Sequence, residues 1–308
     1  MRLLAASLGV LLVLTSIGCS AASTSVKATS TSTASASSPW KEVWTDNFNG
    51  PANSGVNTST WEYVDGYGNS FFGTGEVERT TSSTYNAHLD GHGDLDIIAL
   101  GHGAAGSPST GWTSARIRTK ALFGAPAGGE MMVTASIKQP DPAHALGYWP
   151  AFWMIGTGPW PTNGEIDILE DVNGLSEASG TVHCGNLTQR NANGTFGPCD
   201  EKDGLGSGLR PCSGCQSGFN TYSVIVDRRH AGAEQIRWYV DGRQFFSVSE
   251  SQIGKSAWAA AFDHGLQILL DVSIGGAFPN GQCGCTTPNN QTSSQGMMVV
   301  RNVTVYDN

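Results

Sequence analysis

The sequence predicts an all-β sandwich, and three features carry that prediction. Short runs rich in β-branched and aromatic residues recur between clusters of Gly, Asn, Asp and Pro, at 94–100, 131–138, 221–227, 235–240, 267–274 and 297–306. The dipeptide Asp241-Gly242 separates two strand-like segments and favours a tight hairpin turn. No long stretch has the periodicity of an amphipathic helix.

The first 19 residues have the order of a signal peptide. Arg2 is followed by an apolar run, 3–14, that is too short to span a bilayer. We therefore expect the protein to be exported, either secreted or held at the cell surface. Residues 16–19 fit a bacterial lipoprotein cleavage box that ends at Cys19, and we favour this over ordinary cleavage at the small residues 20–22.

Residues 20–38 are nearly all Ser, Thr or Ala, and Lys27 is their only charge. Such a segment cannot bury a core, so we predict a flexible linker. No second linker and no internal repeat follow it. We predict one folded domain at 39–308, since a chain with 39% hydrophobic residues can bury a core of that size.

The formal net charge of −9 argues against nucleic acid and anionic membranes as partners, because both need clustered Lys and Arg. We expect a monomer with a neutral substrate, attached to a membrane only if Cys19 carries a lipid. The other six cysteines form an even set, which in an exported chain predicts disulfides ahead of a zinc site. Their pairing stays open: Cys184, Cys199, Cys212, Cys215, Cys283 and Cys285.

The segment 164–170, Gly-Glu-Ile-Asp-Ile-Leu-Glu, alternates acidic and apolar residues, with one extra residue before the last Glu. As a strand it points Glu165 and Asp167 to one face and the isoleucines into the core. A β-bulge that absorbs Leu169 would return Glu170 to the acidic face. An exposed acidic surface or a calcium site would share this pattern, since clustered oxygens suit Ca²⁺.

Crowded carboxyl groups raise one another's pKa, so that one can stay protonated as a general acid while another is ionised. Retaining glycoside hydrolysis needs this division, with the two carboxyl groups about 5–5.5 Å apart. We assign Glu165 as the nucleophile, Glu170 as the acid/base and Asp167 as a supporting acid that hydrogen-bonds the nucleophile.

Aromatic residues just upstream supply candidate sugar contacts. On a strand, Trp149 and Trp153 share one face, while Phe152 and Met154 share the other. We predict that the tryptophans, with the nearby Trp160, face the cleft as flat platforms for sugar rings. Core packing is the better interpretation for Phe152 and Met154.

Downstream, the alternation of residues 181–183 directs Val182 to the core and His183 to the cleft. A lone His on a strand is more often structural than catalytic. Because His183 follows the acidic strand closely, a hydrogen bond to sugar or carboxylate is an equally good hypothesis.

Taken together, these residues resemble glycoside hydrolase family 16, specifically its laminarinase-like members. The resemblance rests on the acidic segment 164–170 preceded by Trp149-Pro150-Ala151-Phe152-Trp153, a combination more specific than either part. It extends over 46–50, 113–117, 236–242, 274–276 and 299–306, which is nearly the whole domain.

The resemblance implies a jelly-roll β-sandwich of concanavalin type with a concave substrate cleft, and no cofactor for catalysis. It also implies endo-cleavage of β-1,3 or mixed β-1,3/1,4 glucans with retention, and the extra residue in the acidic strand favours the laminarinase type. The same roles follow for the three acids. Relatives often bind a structural calcium ion on the convex side, but its ligands cannot be matched in this sequence.

The resemblance further suggests sugar contacts for Trp153, Trp160 and His183, with Arg116 as a weaker candidate. Many relatives have a Trp shortly after the late Gly-Gly, where this chain has Ala277-Phe278. We take Phe278 as the corresponding candidate, although this departure leaves the subsite preference open.

Three other functions stay open on the sequence. A hydrolase of another β-glycan, such as a galactan, would use the same carboxylates with different subsites. A transglycosylase would pass the covalent intermediate to a sugar instead of water. A lectin of the same architecture would bind sugar without turnover, but it gives no reason for two glutamates to stand together.

Overall fold

Alternating apolar residues build two β-sheets that share one core. The computed structural model describes residues 40–67, 73–102 and 111–308. The predicted signal peptide, with Cys19, and the linker lie outside the described residues. Among the described residues, no helix is both long and apolar enough to cross a membrane.

Strands are numbered in chain order. Within the described residues the first sheet contains β1 (Lys41–Asp46), β3 (Gly66–Tyr67), β4 (Arg79–Thr80), β5 (Ala87–Leu89), β6 (Leu95–Gly101), β7 (Trp112–Ser114), β9 (Glu130–Lys138), β15 (Asn220–Asp227), β16 (Gln235–Val240), β17 (Arg243–Ser249) and β19 (Gly296–Asp307). Its order is β17-β16-β15-β9-β19-β6-β7-β4-β3, with β1 paired to β19 and β5 to β6.

The second sheet contains β2 (Trp61–Tyr63), β8 (Arg116–Thr119), β10 (Tyr148–Ile155), β11 (Glu165–Glu170), β12 (Glu177–His183), β13 (Leu205–Gly206), β14 (Arg210–Pro211) and β18 (Gln267–Ile274). Its order is β13-β12-β11-β10-β18-β8-β2, with β14 paired to β12. Three short helices complete the described part: α1 (Glu250–Ile253), α2 (Lys255–Phe262) and α3 (Ala277–Cys283).

The predicted all-β sandwich is confirmed. Each of the six predicted runs lies on a strand, namely β6, β9, β15, β16, β18 and β19. The Asp241-Gly242 hairpin is present between β16 and β17, and both residues have positive φ, 48° and 73°, as a tight primed turn requires. The prediction of disulfides is also confirmed, with the pairs Cys184–Cys199, Cys212–Cys215 and Cys283–Cys285.

Trp238 connects the two sheets. It belongs to β16 of the first sheet and is completely buried, yet its indole Nε1 donates a hydrogen bond of 2.7 Å to the backbone carbonyl of Asp167 on β11 of the second. The ring fits because Gly180 of β12 has no side chain, and a Cβ there would overlap the indole. The acidic strand therefore rests directly on this indole.

We expect Gly180→Ala to lower the free energy of unfolding by about 1–3 kcal/mol, since the added methyl overpacks a filled core. Urea unfolding of the oxidised protein measures this. Gly281→Ala is the matched control, because a Cβ at Gly281 of α3 meets nothing within 4 Å. Equal stability of the two variants would contradict the close packing of Gly180 on Trp238.

Candidate active site

The acidic strand β11 presents its carboxyl groups on the face of the second sheet that points away from the core. Ile166, Ile168 and Leu169 are fully buried between the sheets. Glu165 and Glu170 are partly exposed on the opposite face, with Asp167 buried between them in the sequence. Three carboxyl groups therefore line one strand face, as the alternation predicts.

A β-bulge makes this arrangement possible. Along the neighbouring β10, Asp167 pairs with Trp153 and Leu169 with Phe152, so Ile168 is the extra residue. The prediction that Leu169 is absorbed is wrong by one position on this side of the strand. Ile168 and Leu169 both turn into the core, and Glu170 returns to the acidic face, as predicted.

Each outer glutamate accepts a hydrogen bond from an indole. Trp160 Nε1 donates to Glu165 Oε2 at 3.0 Å, and Trp149 Nε1 donates to Glu170 Oε1 at 2.9 Å. Trp160 exposes 37% of its surface, which leaves ring surface for a sugar. These tryptophans thus hold the carboxylates as well as border the site.

Trp153 lies on the same face but is only 6% exposed. Its Nε1 donates to Asp271 Oδ1 at 2.6 Å, and it packs with Ala151 and Leu269 in a small apolar cluster separate from the main core. So little exposed ring surface favours a supporting role over direct stacking on a sugar. Phe152 and Met154 are fully buried in the main core, as predicted.

Arg116 lies beneath Trp153, with its guanidinium carbon 5.7 Å from the centre of the indole ring. It is 3% exposed, and its Nη2 contacts Glu76 at 3.0 Å and both Asp271 and Ser273 at 3.1 Å. The structure therefore places Arg116 in a buried charge network with Glu76 and Asp271.

Phe278 of α3 is partly buried and packs edge-on against Trp149, with the ring centres 5.7 Å apart. The aromatic residue after the late Gly-Gly is thus brought to the Glu170 end of the site through Trp149. The prediction of Phe278 as a site residue rests on the resemblance alone, since no local pattern joins it to the acidic strand.

His183 lies beside the acidic strand, at the Glu165 end. Its Nε2 is 3.6 Å from Asp167 Oδ2 and 4.0 Å from Glu165 Oε1, and its ring lies 5.5 Å from that of Trp160. On the other side, Nδ1 is 2.8 Å from Glu201 Oε2. Hydrogen bonding to Glu201 and the nearby carboxylates raise the pKa of His183 to about 9, although burial opposes this.

The three acids differ in proton affinity. Burial raises the pKa of Glu170 to about 7. Burial also raises the pKa of Glu165, but His183 and the indole of Trp160 oppose the shift. The Trp149 indole and His183 likewise oppose the shift at Glu170, which nevertheless keeps its proton in mild acid, whereas Glu165 lies closer to the imidazole, at 4.0 Å.

Asp167 also favours its protonated form. Burial, followed by the charges of Glu170 and Glu165, raises its pKa well above the usual range. Its Oδ2 is buried and accepts no hydrogen bond from the described residues. A protonated carboxyl group resolves this, because the oxygen then acts as a donor.

Glu165, Asp167 and His183 bring one ligand atom each within 4.8 Å of one another, a grouping that could hold a metal ion. The donor set does not fit calcium, which takes about six to eight oxygen ligands. A protonated imidazole also cannot ligate a metal. The grouping is better described as two carboxyl groups facing a cation.

Sequence reasoning missed Glu76, Asp271 and Glu201, all of which are buried acids in contact with the predicted residues. Glu201 lies in an irregular loop and Glu76 in a short stretch before β4, so neither has a periodic pattern around it. Asp271 interrupts the apolar run of β18, and a charge inside a run bound for the core is a signal that could have identified it.

Comparison with known proteins gives consistent results. A family model described as "XgeA-like, catalytic GH16 domain" matches residues 78–205. The chain is similar to the crystal structure of an endo-1,3-β-glucanase from Streptomyces sioyaensis, with a TM-score of 0.77 and 40% identity over 87% of this chain and 96% of that one. An endo-β-1,3-glucanase from Pyrococcus furiosus gives a TM-score of 0.67 and 28% identity, over 87% and 94%.

Among curated sequences, glucan endo-1,3-β-glucosidase A1 of Niallia circulans is 27% identical over 266 residues. The match covers 80% of this chain but only 35% of the relative, so the chain spans about a third of that protein's length. The similarity therefore covers only one part of the longer Niallia circulans protein.

A pH dependence of stability follows from Glu170. Because its folded-state pKa of about 7 exceeds the reference value of 4.5, the native state binds the extra proton and loses stability as pH rises through this window. We expect Glu170→Gln to remove a decline on the order of 2–3 kcal/mol between these pH values. Urea unfolding at several pH values measures the difference from wild type, and parallel curves for the two proteins would contradict it.

Proposed function

This chain belongs to glycoside hydrolase family 16, and on that premise we propose that it is a retaining endo-glycosidase acting on β-1,3-glucan or mixed β-1,3/1,4-glucan. The observation that carries the proposal is the contrast between two glutamates on one strand face. Both accept an indole N–H, but Glu165 lies 4.0 Å from the imidazole of His183, whereas Glu170 keeps its proton up to about neutral pH. One group is suited to attack and the other to protonation.

In the proposed first step, a carboxylate oxygen of Glu165 attacks the anomeric carbon. The bond from that carbon to the glycosidic oxygen breaks, and Glu170 transfers its proton to the departing oxygen. In the second step, Glu170 takes a proton from water, which displaces Glu165 from the covalent intermediate. Two inversions at one carbon leave the β configuration retained.

Asp167 supports the first step by donating a hydrogen bond to Glu165 while keeping its proton. Such a bond holds the nucleophile in position before attack, and it stabilises the carboxylate again when the intermediate breaks down. Trp149 and Trp160 anchor Glu170 and Glu165, respectively, through their indole N–H groups. We propose Trp160, His183 and Phe278 as the residues that touch sugar, with Trp153 and Arg116 beneath them.

We expect Glu165→Gln to lower the hydrolysis rate of laminarin by a factor of at least about 100, because the amide cannot act as the nucleophile. Chromatography of products from laminarin, lichenan and a carboxymethyl β-1,4-glucan measures this. Glu177→Gln, a carboxylate at the start of the adjacent β12, is the control. Proton NMR of the first products should show the β-anomer.

Equal rates for wild type and Glu165→Gln on laminarin would overturn the assignment. Products from sulfated or neutral galactans alone would point to another β-glycan. Chains longer than the substrate would indicate transglycosylation. Binding of laminarin without any product over a long incubation would support the lectin.

We further propose that the protein is exported as a monomer. Three disulfides suit an oxidising compartment. The finer proposals are a lipid on Cys19 and a structural calcium ion on the convex side.

Mass spectrometry of the mature N-terminus tests the anchor. We expect a chain that begins at Cys19 with added acyl mass, because residues 16–19 fit a lipoprotein cleavage box. A free chain that begins after Cys19 would contradict the lipid anchor while leaving export intact.

A further inference from the structure

The loop that follows β12 folds back beneath His183. His183 is the last residue of β12, and the next residue, Cys184, is joined by a disulfide to Cys199, two positions before Glu201. The backbone of Glu201 exchanges two hydrogen bonds with that of Phe196 inside the loop, at 2.7 and 2.8 Å. The crosslink and this pairing bring Glu201, 18 residues away in sequence, next to His183.

Glu201 has both carboxylate oxygens engaged. Oε2 is 2.8 Å from His183 Nδ1, and Oε1 accepts the backbone N–H of Cys184 at 2.9 Å. Its side chain is completely buried. A buried carboxylate is costly unless a cation faces it, and the imidazole of His183 lies 2.8 Å from Glu201. The contact at Nδ1 requires a ring proton on that nitrogen, and the carboxyl groups on both edges of the ring favour a second proton on Nε2, which makes His183 the cation.

On its other edge, His183 faces the acidic strand. Nε2 is 3.6 Å from Asp167 Oδ2 and 4.0 Å from Glu165 Oε1, and Glu170 acts on the ring at longer range. The titratable groups that face the imidazole are therefore Glu201 from the loop and the three acids of β11. With Nδ1 fixed by Glu201, the second N–H is aimed at Glu165 and Asp167.

We infer that Glu201 is a positioning residue for the reaction proposed above: it holds His183 as an oriented imidazolium beside the nucleophile, and the Cys184–Cys199 disulfide holds Glu201 in place. This inference rests on the proposed function. Glu201 itself is buried and touches no substrate. Its effect on Glu165 passes through the ring of His183.

The direct test is an NMR titration of the His183 imidazole in the full domain. The chain contains seven histidines, so a His183→Asn spectrum identifies the signal. In wild type we expect a midpoint of about 9. In Glu201→Gln the midpoint should fall by at least about one pH unit, because an opposite charge in contact is worth roughly one to three. Asp203→Asn, an exposed acid in the same loop, should leave it unchanged.

The kinetic test compares kcat/KM on laminarin at about pH 5.5 and about pH 8. At the lower pH His183 is protonated in both proteins, whereas at the higher pH it is neutral only in Glu201→Gln. We expect the deficit of the variant to be roughly twofold larger at the higher pH for a fall of one unit and roughly tenfold for a fall of two, which a merely structural defect would not produce. Glu201→Asp should restore part of the wild-type pH profile.

The double variant Cys184→Ala with Cys199→Ala tests the role of the crosslink without changing any charge at the site, and it should shift the His183 midpoint in the same direction. An unchanged midpoint in both Glu201→Gln and the double variant would overturn the inference, as would a deficit independent of pH. If wild type left laminarin intact, the proposed function would fail. The NMR titration would still decide whether Glu201 sets the pKa of the His183 imidazole.

Discussion

The hydrogen bond from Trp238 to the carbonyl of Asp167 is the interaction on which the site depends. It crosses from one sheet to the other and ends on the strand that carries all three acids, at the position where the bulge begins. A bulge loosens the ladder on which a strand normally relies. Support from a fully buried indole restores rigidity at the point where the regular pairing is interrupted.

That support matters because the arrangement above it is electrostatically costly. Three carboxyl groups share one face, and burial raises the pKa of each. The structure offsets the cost in two ways. Indole N–H groups face the two glutamates, and a histidine that is itself paired with a buried acid faces the Glu165 end. Each outer glutamate thus has its own hydrogen-bond donor, and Glu165 also lies within 4.0 Å of the imidazole.

Much of the arrangement of the acids and tryptophans follows from the sequence, because alternation along a strand is a local pattern. The alternation of residues 164–170 predicts which acids share a face, and the same rule separates Trp153 from Phe152. The sequence predicts the bulge one residue late on the β10 side. Ile168 and Leu169 are both apolar and both turn into the core, so the sequence pattern does not show which of them is the extra residue. The burial of Trp153 and Arg116 depends on Asp271 and Glu76, which join them only through strand pairing. The location of Glu201 beside His183 depends on a disulfide, and a sequence with six cysteines does not determine which of them pair.

The spacing of the disulfides has a consequence for how the protein holds together. They join cysteines 15, 3 and 2 residues apart, so each closes a short local loop and none joins one sheet to the other. Loops of this size still remove conformational freedom from the unfolded chain, on the order of 1–3 kcal/mol each, so oxidation adds to the cohesion that the apolar layer between the sheets supplies. The Cys184–Cys199 crosslink begins at the residue after His183. Reducing that bond would therefore act on the site as well as on the stability of the domain, which ties the redox state of the compartment to the chemistry of the cleft.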